Sequence, residues 1–370
     1  MTARQFAATL LLAALACRPP AEPIRIGLAG PLTDPVGTPM RMAAELAVEE
    51  INAAGGIDGR PIELVARDDL GDPDSAVSVA VDLAAQGVVA VVGHVYSGTT
   101  LAASPIYGSA PVPVPVITPS SSAPELSVAG PHMFRLCPTD LEHGAALATF
   151  VHRSLGLSRG AVFYLNDAYG RGVRQAFTSR YTAMGGTLLG VGPYLGDAPD
   201  VTAYLDRFAE DSAQFLLVAG NRTEGEAVLA QARERGFTAP VVGGDGLEGI
   251  EQAGPLAEGT YVSAAYLPML DTPRNTRFVE TWASRYPDAL PPNQPAAGAY
   301  DAIYLLADVM RHASPTRRGI REGLASIGSE LPPFQGVTGV IAFDAQGDLL
   351  RLPILIGVVR EGRIVLAESQ

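Results

Sequence analysis

The 370-residue chain is poor in cysteine, in positive charge and in uninterrupted apolar sequence. It holds two cysteines, Cys17 and Cys137, and only Cys137 lies beyond the N-terminal segment. A single thiol can build neither an internal disulfide nor a zinc site. Its neighbours, MFRLCP, read as a strand, so Cys137 is expected to be buried and inert. Lysine and arginine total 26 against 39 acidic residues, a net charge of −13. Phosphate binding needs a concentrated basic patch, and Arg317, Arg318 and Arg321 are too few to make one, which argues against a nucleic-acid partner. The acidic balance mainly favours solubility. The apolar run of residues 6–16 is shorter than the about 20 residues that cross a bilayer. Neither GxxxxGK[ST] nor GxSxG occurs, which removes the P-loop and the hydrolase nucleophile elbow.

What is present is an ordinary folded composition, 47% hydrophobic and 18% charged. The length suggests two domains. Residues 1–17, MTARQFAATLLLAALAC, carry one charge, Arg4, then the apolar run, and read as a secretory signal. Small residues precede Cys17, and residues 18–23, RPPAEP, read as a tether. This segment resembles the lipobox of bacterial lipoproteins, in which the cysteine is lipidated and becomes residue one. Here Ala14 and Leu15 stand where that pattern prefers leucine first, so a plain secretory signal cut near Ala16 is the other reading.

From Ile24 onward the pattern is strand, loop, helix, repeated. Residues 24–29 form an apolar strand. Thr38 can cap a helix opened by Pro39, with Ala44, Ala47, Val48 and Ile51 on one stripe and Gly55 and Gly56 at its end. Asp72 caps a second helix, with Val77, Ala80, Val81 and Ala84 expected on its buried face. Strands follow at 62–66, 88–92 and 112–118. The alternation resumes after Pro138: helices at 139–155, 170–184 and 223–235, strands at 161–165, 215–219 and 240–243. Such alternation implies parallel sheets covered on both faces. The C-terminal part differs, with helices near 274–285 and 296–312, then short β segments at 337–343, 354–359 and 364–366.

Ligands of open α/β sheets bind beyond the carboxyl ends of the strands, so the loops there carry the candidates. GHVYSGTT places Ser97 before a helix, where it can cap the helix or, with the free N–H groups beside it, hold an anion. TPSSSAPEL places Ser120 and Ser122 at a neighbouring strand end. A hydrolase needs a base and an orienting acid, and nothing in the sequence shows that His94 meets Ser97. GDGLEG, residues 244–249, matches GxGxxG formally, but the IEQAGPL that follows cannot be a long helix. Asp245 at that strand end can meet an ammonium group or serve as a turn or cap aspartate. RDDLGDPD lacks the glycine and glutamate spacing of a calcium loop.

The ordered set GLAGPLTDPVG, AAELAVEEINAAGGIDGRPIELVARDDLGDPDSAVSVA, VVGHVYSGTT and VITPSSSAPEL closely resembles the leucine/isoleucine/valine-binding proteins of ABC transporters, which are type I periplasmic binding proteins. NDAYGRGV, QFLLVAGNRTEGEAVLAQARERGF, VVGGDGLEG and NQPAAGAYDAIYLL extend the likeness over nearly the whole chain. The resemblance implies two doubly wound, Rossmann-like lobes joined by three crossovers, near 138–139, 267–268 and 344–350. Lobe 1 would comprise 24–138 and 269–345, lobe 2 residues 139–268 and 346–370, closing like a hinge on a ligand. Position by position, Ser97 and Ser122 match hydroxyls that bind an amino-acid carboxylate. Ser120 matches a residue whose carbonyl receives the ammonium, Asp245 the acid that pairs with it, and Tyr169 a cleft tyrosine. Asn221 replaces a second cleft tyrosine, and Arg222 follows it, facing either ligand or solvent. Pro295 replaces a phenylalanine, and Val36 lies near a family tyrosine. Leu70 and Tyr96 stand where the family has a disulfide. The expected protein is a cofactor-free, non-enzymatic solute-binding protein of the periplasm or cell envelope. It would be lipid-anchored at Cys17 and would deliver a branched-chain or more polar amino acid to ABC permease subunits. The alternative is a ligand sensor of the same fold acting on a signalling partner.

Overall fold

The computed structural model of the chain describes residues 22–196, 200–350 and 352–367, so Cys17 lies outside the described residues. Strands β1 (Ile24–Gly30), β2 (Ile62–Asp68), β3 (Ala90–Gly93), β4 (Val116–Thr118) and β5 (Met133–Arg135) form a parallel sheet in the order β2-β1-β3-β4-β5. Alternate residues of a strand face opposite ways, and β3 shows the consequence. Ala90 and Val92 enter the core under α1 (Gly37–Ala53) and α9 (Gln294–His312), while Val91 enters the core under α2 (Pro73–Ala85) and α3 (Ser97–Ser109). Helices α8 (Pro273–Arg285) and α10 (Arg317–Ser326) and the small ribbon of β11 (Phe334–Gln335) and β12 (Val340–Ile341) complete this lobe.

The second sheet has the order β14-β13-β10-β9-β8-β6-β7. Its parallel part is β6 (Arg159–Leu165), β7 (Thr187–Tyr194), β8 (Leu216–Ala219), β9 (Val241–Gly243) and β10 (Tyr261–Ala264). β13 (Leu355–Arg360) and β14 (Arg363–Leu366) add an antiparallel edge. Leu216 and Val218 of β8 pack against α6 (Thr202–Glu210) and α7 (Arg222–Glu234). Leu217 packs against α4 (Asp140–Thr149) and α5 (Ala168–Ala183) from the other side.

The chain passes between the lobes three times: β5 to α4, β10 to α8, and β12 to β13. The fold is therefore two doubly wound α/β lobes joined by three crossovers. Arg135, buried at the first crossover, pairs with Asp348 of the third at 2.5 Å and donates to the Ala123 carbonyl at 3.0 Å, tying two connections together.

Several local expectations are corrected. α1 begins at Gly37, not after Thr38, because one oxygen of Asp34 accepts the N–H groups of Val36 and Gly37 at 2.7 and 2.6 Å. The Thr38 hydroxyl instead donates to the Leu32 carbonyl. Asp72 does cap α2, accepting the Ser75 N–H, but the buried face is Ala76, Val79, Ala80 and Leu83, and Val81 is exposed. In a helix with alanine on most sides, the stripe is set by which face meets the sheet. β4 is three residues long rather than seven, and β7, α6, β10 and α10 are elements that the sequence reading left unassigned.

Candidate functional site

The loops after β3 and β4 are knitted together by hydroxyls. Ser97 is the first residue of α3 and is buried, yet it does not cap the helix: the cap position is Tyr96, which has no side-chain cap bond. The Ser97 hydroxyl instead accepts the Ala123 N–H at 3.2 Å, from the neighbouring loop. Thr100 and Ser121 share a second hydroxyl contact at 2.5 Å, and Ser121 also donates to the Val95 carbonyl. Ser97 and Ser122 are thus held on one preassembled surface. Ser122 is buried, and its carbonyl accepts the Asp140 N–H at 2.9 Å. Ser120 is half-buried, and its carbonyl takes no hydrogen bond from the described residues.

His94 is fully buried, with Nδ1 at 2.5 Å from an Asp69 oxygen and Nε2 at 3.2 Å from the Tyr107 hydroxyl. Both ring nitrogens are occupied, so none is left to activate Ser97. Cys137 is buried and unpaired with any other cysteine, and burial pushes its thiol up.

On the opposite lobe, Asp245 opens a short 3-10 turn after β9. It accepts the Tyr169 hydroxyl at 3.0 Å, and the same hydroxyl accepts the Gly246 N–H at 2.7 Å. The Tyr169 ring lies so close to Gly246 that a Cβ there would come within 2.7 Å of the ring, and equally close to the Gly220 carbonyl. Glycine at 246 therefore lets the loops after β8 and β9 touch, and burial drives the Tyr169 hydroxyl well above its ordinary value. Asn221 occupies the N-cap of α7 but makes no side-chain cap bond, and its amide has no hydrogen bond among the described residues. Arg222 is neither loose in solvent nor a lone charge: it pairs with Glu226 at 3.3 Å and lies against Gly249.

Three groups near these residues went unnoticed in the sequence. Asp140 is fully buried; neither of its carboxyl oxygens has a well-formed hydrogen bond, although the Ser122 hydroxyl lies close enough to act on it. Burial raises it well above the carboxylate range; the Ser122 hydroxyl and Arg135 oppose that, and the charge of Asp245 adds to it. His143 is fully buried, bonded through Nδ1 to the Ser263 hydroxyl at 2.9 Å, with Nε2 3.6 Å from Asp245. Glu248 reaches across the lobes to accept the Gln294 N–H at 2.8 Å, and burial pushes its carboxyl up to about 8.

Ser122 on one lobe and the sparsely bonded Asp245 on the other thus both lie close enough to Asp140 to act on it. That arrangement suits a small molecule bearing an anion and a cation side by side. Among the described residues no group of three or more histidine, cysteine or acidic side chains could hold a metal ion.

A family model described as "Periplasmic binding protein" matches residues 23–362. The leucine-, isoleucine-, valine-, threonine- and alanine-binding protein of Pseudomonas aeruginosa is 30% identical over 355 residues, covering 94% of this chain and 92% of the relative. Leu/Ile/Val-binding protein homolog 3 of Brucella melitensis is 28% identical, covering 97% and 96%. The branched-chain amino acid transporter substrate binding protein of Streptococcus pneumoniae, solved with isoleucine, superposes with a TM-score of 0.85 at 28% identity, covering 94% of this chain and 99% of that one. An ABC transporter substrate-binding protein from Desulfitobacterium hafniense, solved with leucine, gives 0.81 at 30% identity, covering 94% and 100%. Nothing in these relatives favours the sensor alternative.

Proposed function

Because the chain belongs to the periplasmic binding protein family, we propose that it captures a free α-amino acid between its lobes and presents it to an ABC permease. The ligand carboxylate rests on the hydroxyls of Ser97 and Ser122. The ammonium is received by the Ser120 carbonyl and Asp245, with Tyr169 fixing the Asp245 carboxylate and Asn221 lining the pocket beyond. The observation that carries this reading is the approach of the lobes at Asp140, which gives its N–H to the Ser122 carbonyl at 2.9 Å and feels the charge of Asp245, itself bonded only to the Tyr169 hydroxyl among the described residues. Two opposite charges on one small ligand satisfy both sides at once, and charge-assisted hydrogen bonds are the stronger kind. The lobes, 24–138 with 269–345 and 139–268 with 346–370, close because the ligand has more partners in the closed form than in the open one. Cleavage before Cys17 and its lipidation would keep the protein on the cell envelope beside its permease.

The test is thermal unfolding of the mature protein against the free amino acids. A ligand at 100 times its dissociation constant stabilises the fold by about 2.7 kcal/mol. Stabilisation by at least one free α-amino acid supports the proposal. Absence of any shift across the whole set, at millimolar concentration, overturns it.

A further inference from the structure

We infer that the ligand's side chain ends in a primary carboxamide, as in asparagine and glutamine, received by Glu248 and Gln294. This rests on the amino-acid reading above. The start of the second turn of α9 packs against the Ser120 loop: a Cβ on Gly298 would meet Pro119 at 2.8 Å. Gln294, one turn earlier, gives its N–H to Glu248, which follows Asp245 by three residues and whose own N–H bonds the Asp245 carbonyl at 3.0 Å. The wall of the cleft beside the ammonium site is therefore built from a carboxyl group and a glutamine rather than from hydrocarbon.

Both residues have unused bonding capacity. The second oxygen of Glu248 takes no hydrogen bond from the described residues. The side-chain nitrogen of Gln294 is buried and has no partner, although the residue is only 3% exposed. Asn221, on the loop touching Gly246, contributes a second amide, with no side-chain cap bond to its helix. A buried polar group left unpaired is costly, so an aliphatic side chain would seal that cost into the closed cleft. A carboxamide offers one acceptor and two donors: its oxygen can accept from the Glu248 O–H and the Gln294 side-chain N–H, and its NH2 can donate to the Asn221 oxygen. A cationic side chain would set a positive charge against both of those donors. The burial that keeps Glu248 neutral near pH 7 also favours the amide.

The test is calorimetric titration of the mature protein with asparagine and leucine, which have nearly the same shape, and with glutamine, methionine, lysine and glutamate. The same series is run on Glu248→Ala and on Glu248→Gln, whose NH2 keeps a donor in place of the O–H and keeps the side-chain volume. The expected result is at least tenfold tighter binding of an amide amino acid than of its apolar counterpart, a preference erased in Glu248→Ala and largely kept in Glu248→Gln. Leucine or methionine binding as tightly as the amides, or lysine or glutamate binding tightest, overturns the inference while leaving the amino-acid reading intact. No binding by either amide overturns the inference, and the amino-acid reading then falls only if no free α-amino acid stabilises the fold. If Glu248→Ala fails to fold, the wild-type ranking alone decides.

Discussion

Asp245→Asn separates a binding role from a structural one. The substitution keeps the side-chain volume and an oxygen that can accept the Tyr169 hydroxyl at 3.0 Å. What it removes is the charge. In the bound state that charge meets an ammonium in a cleft with little water, and breaking one member of a desolvated, hydrogen-bonded charge pair costs about 2–5 kcal/mol. At 1.4 kcal/mol per factor of ten, the dissociation constant rises about 30-fold to several thousand-fold. The empty protein responds in the opposite sense. There the Asp245 charge opposes ionisation of the buried Asp140, and among the described residues only the His143 imidazole at 3.6 Å and the Tyr169 phenol attend it. Removing the charge should leave the unliganded melting temperature unchanged or raise it. The assay is paired: calorimetric titration with the tightest amino acid, and thermal unfolding without ligand. A dissociation constant within threefold of wild type would refute the ammonium assignment. A large fall in the unliganded melting temperature would show that Asp245 is a structural residue instead.

Four further outcomes follow from the same geometry. Ser97→Ala and Ser122→Ala should each weaken amino-acid binding by about 10- to 150-fold, the worth of a hydrogen bond to a charged group, with methyl esters of the ligand nearly insensitive to either change; equal losses for acid and ester would remove the hydroxyls from the carboxylate site. Asp140→Asn should raise the urea midpoint of the unliganded protein, since it deletes a buried acid whose oxygens have no well-formed hydrogen bond and which the charge of Asp245 opposes; a lowered midpoint would show that the acid is stabilising. Glu248 holds its proton in the folded state up to about 8 against an ordinary 4.5, with Asp245 and Glu251 adding to the effect of burial. The folded state then binds more protons than the unfolded chain between those values, so its contribution to stability is full below about 4.5 and falls as pH rises toward 8; Glu248→Gln should flatten that slope in pH-dependent urea melts, and an unchanged slope would assign it to other groups. Cys17→Ala should move the protein from the membrane to the soluble fraction of the envelope, and membrane retention would count against the anchor.

The alternation of strands and helices was legible because each buried strand is a short apolar run bounded by turn residues, and α1 shows its stripe at helical spacing. β7 was not, because Gly190, Gly192 and Pro193 interrupt it and it lies on the sheet edge, where continuous apolar sequence is unnecessary. α10 buries only Ile320, Gly323 and Leu324 among charged neighbours, too few apolar positions to declare a helix. Within the site, Ser97 was visible as a hydroxyl at a strand end, but its partner, the Ala123 N–H, depends on how two loops meet. Asp140 looks like an ordinary first-turn acid behind the Thr139 capping box. Its burial comes from α5, where Gly172 lies directly against the carboxyl. Glu248 was hidden inside a glycine-rich turn, and its partner lies 46 residues further along the chain.

The central claim, that both lobes read the head group of an α-amino acid, is met most directly by one comparison. The mature protein is titrated calorimetrically with its tightest amino acid and with the α-hydroxy acid of the same side chain, which keeps the carboxylate and loses the ammonium. The account predicts one site per chain for the amino acid and binding at least 30-fold weaker for the hydroxy acid, the low end of the charge-pair cost. Equal affinity for the two would contradict it.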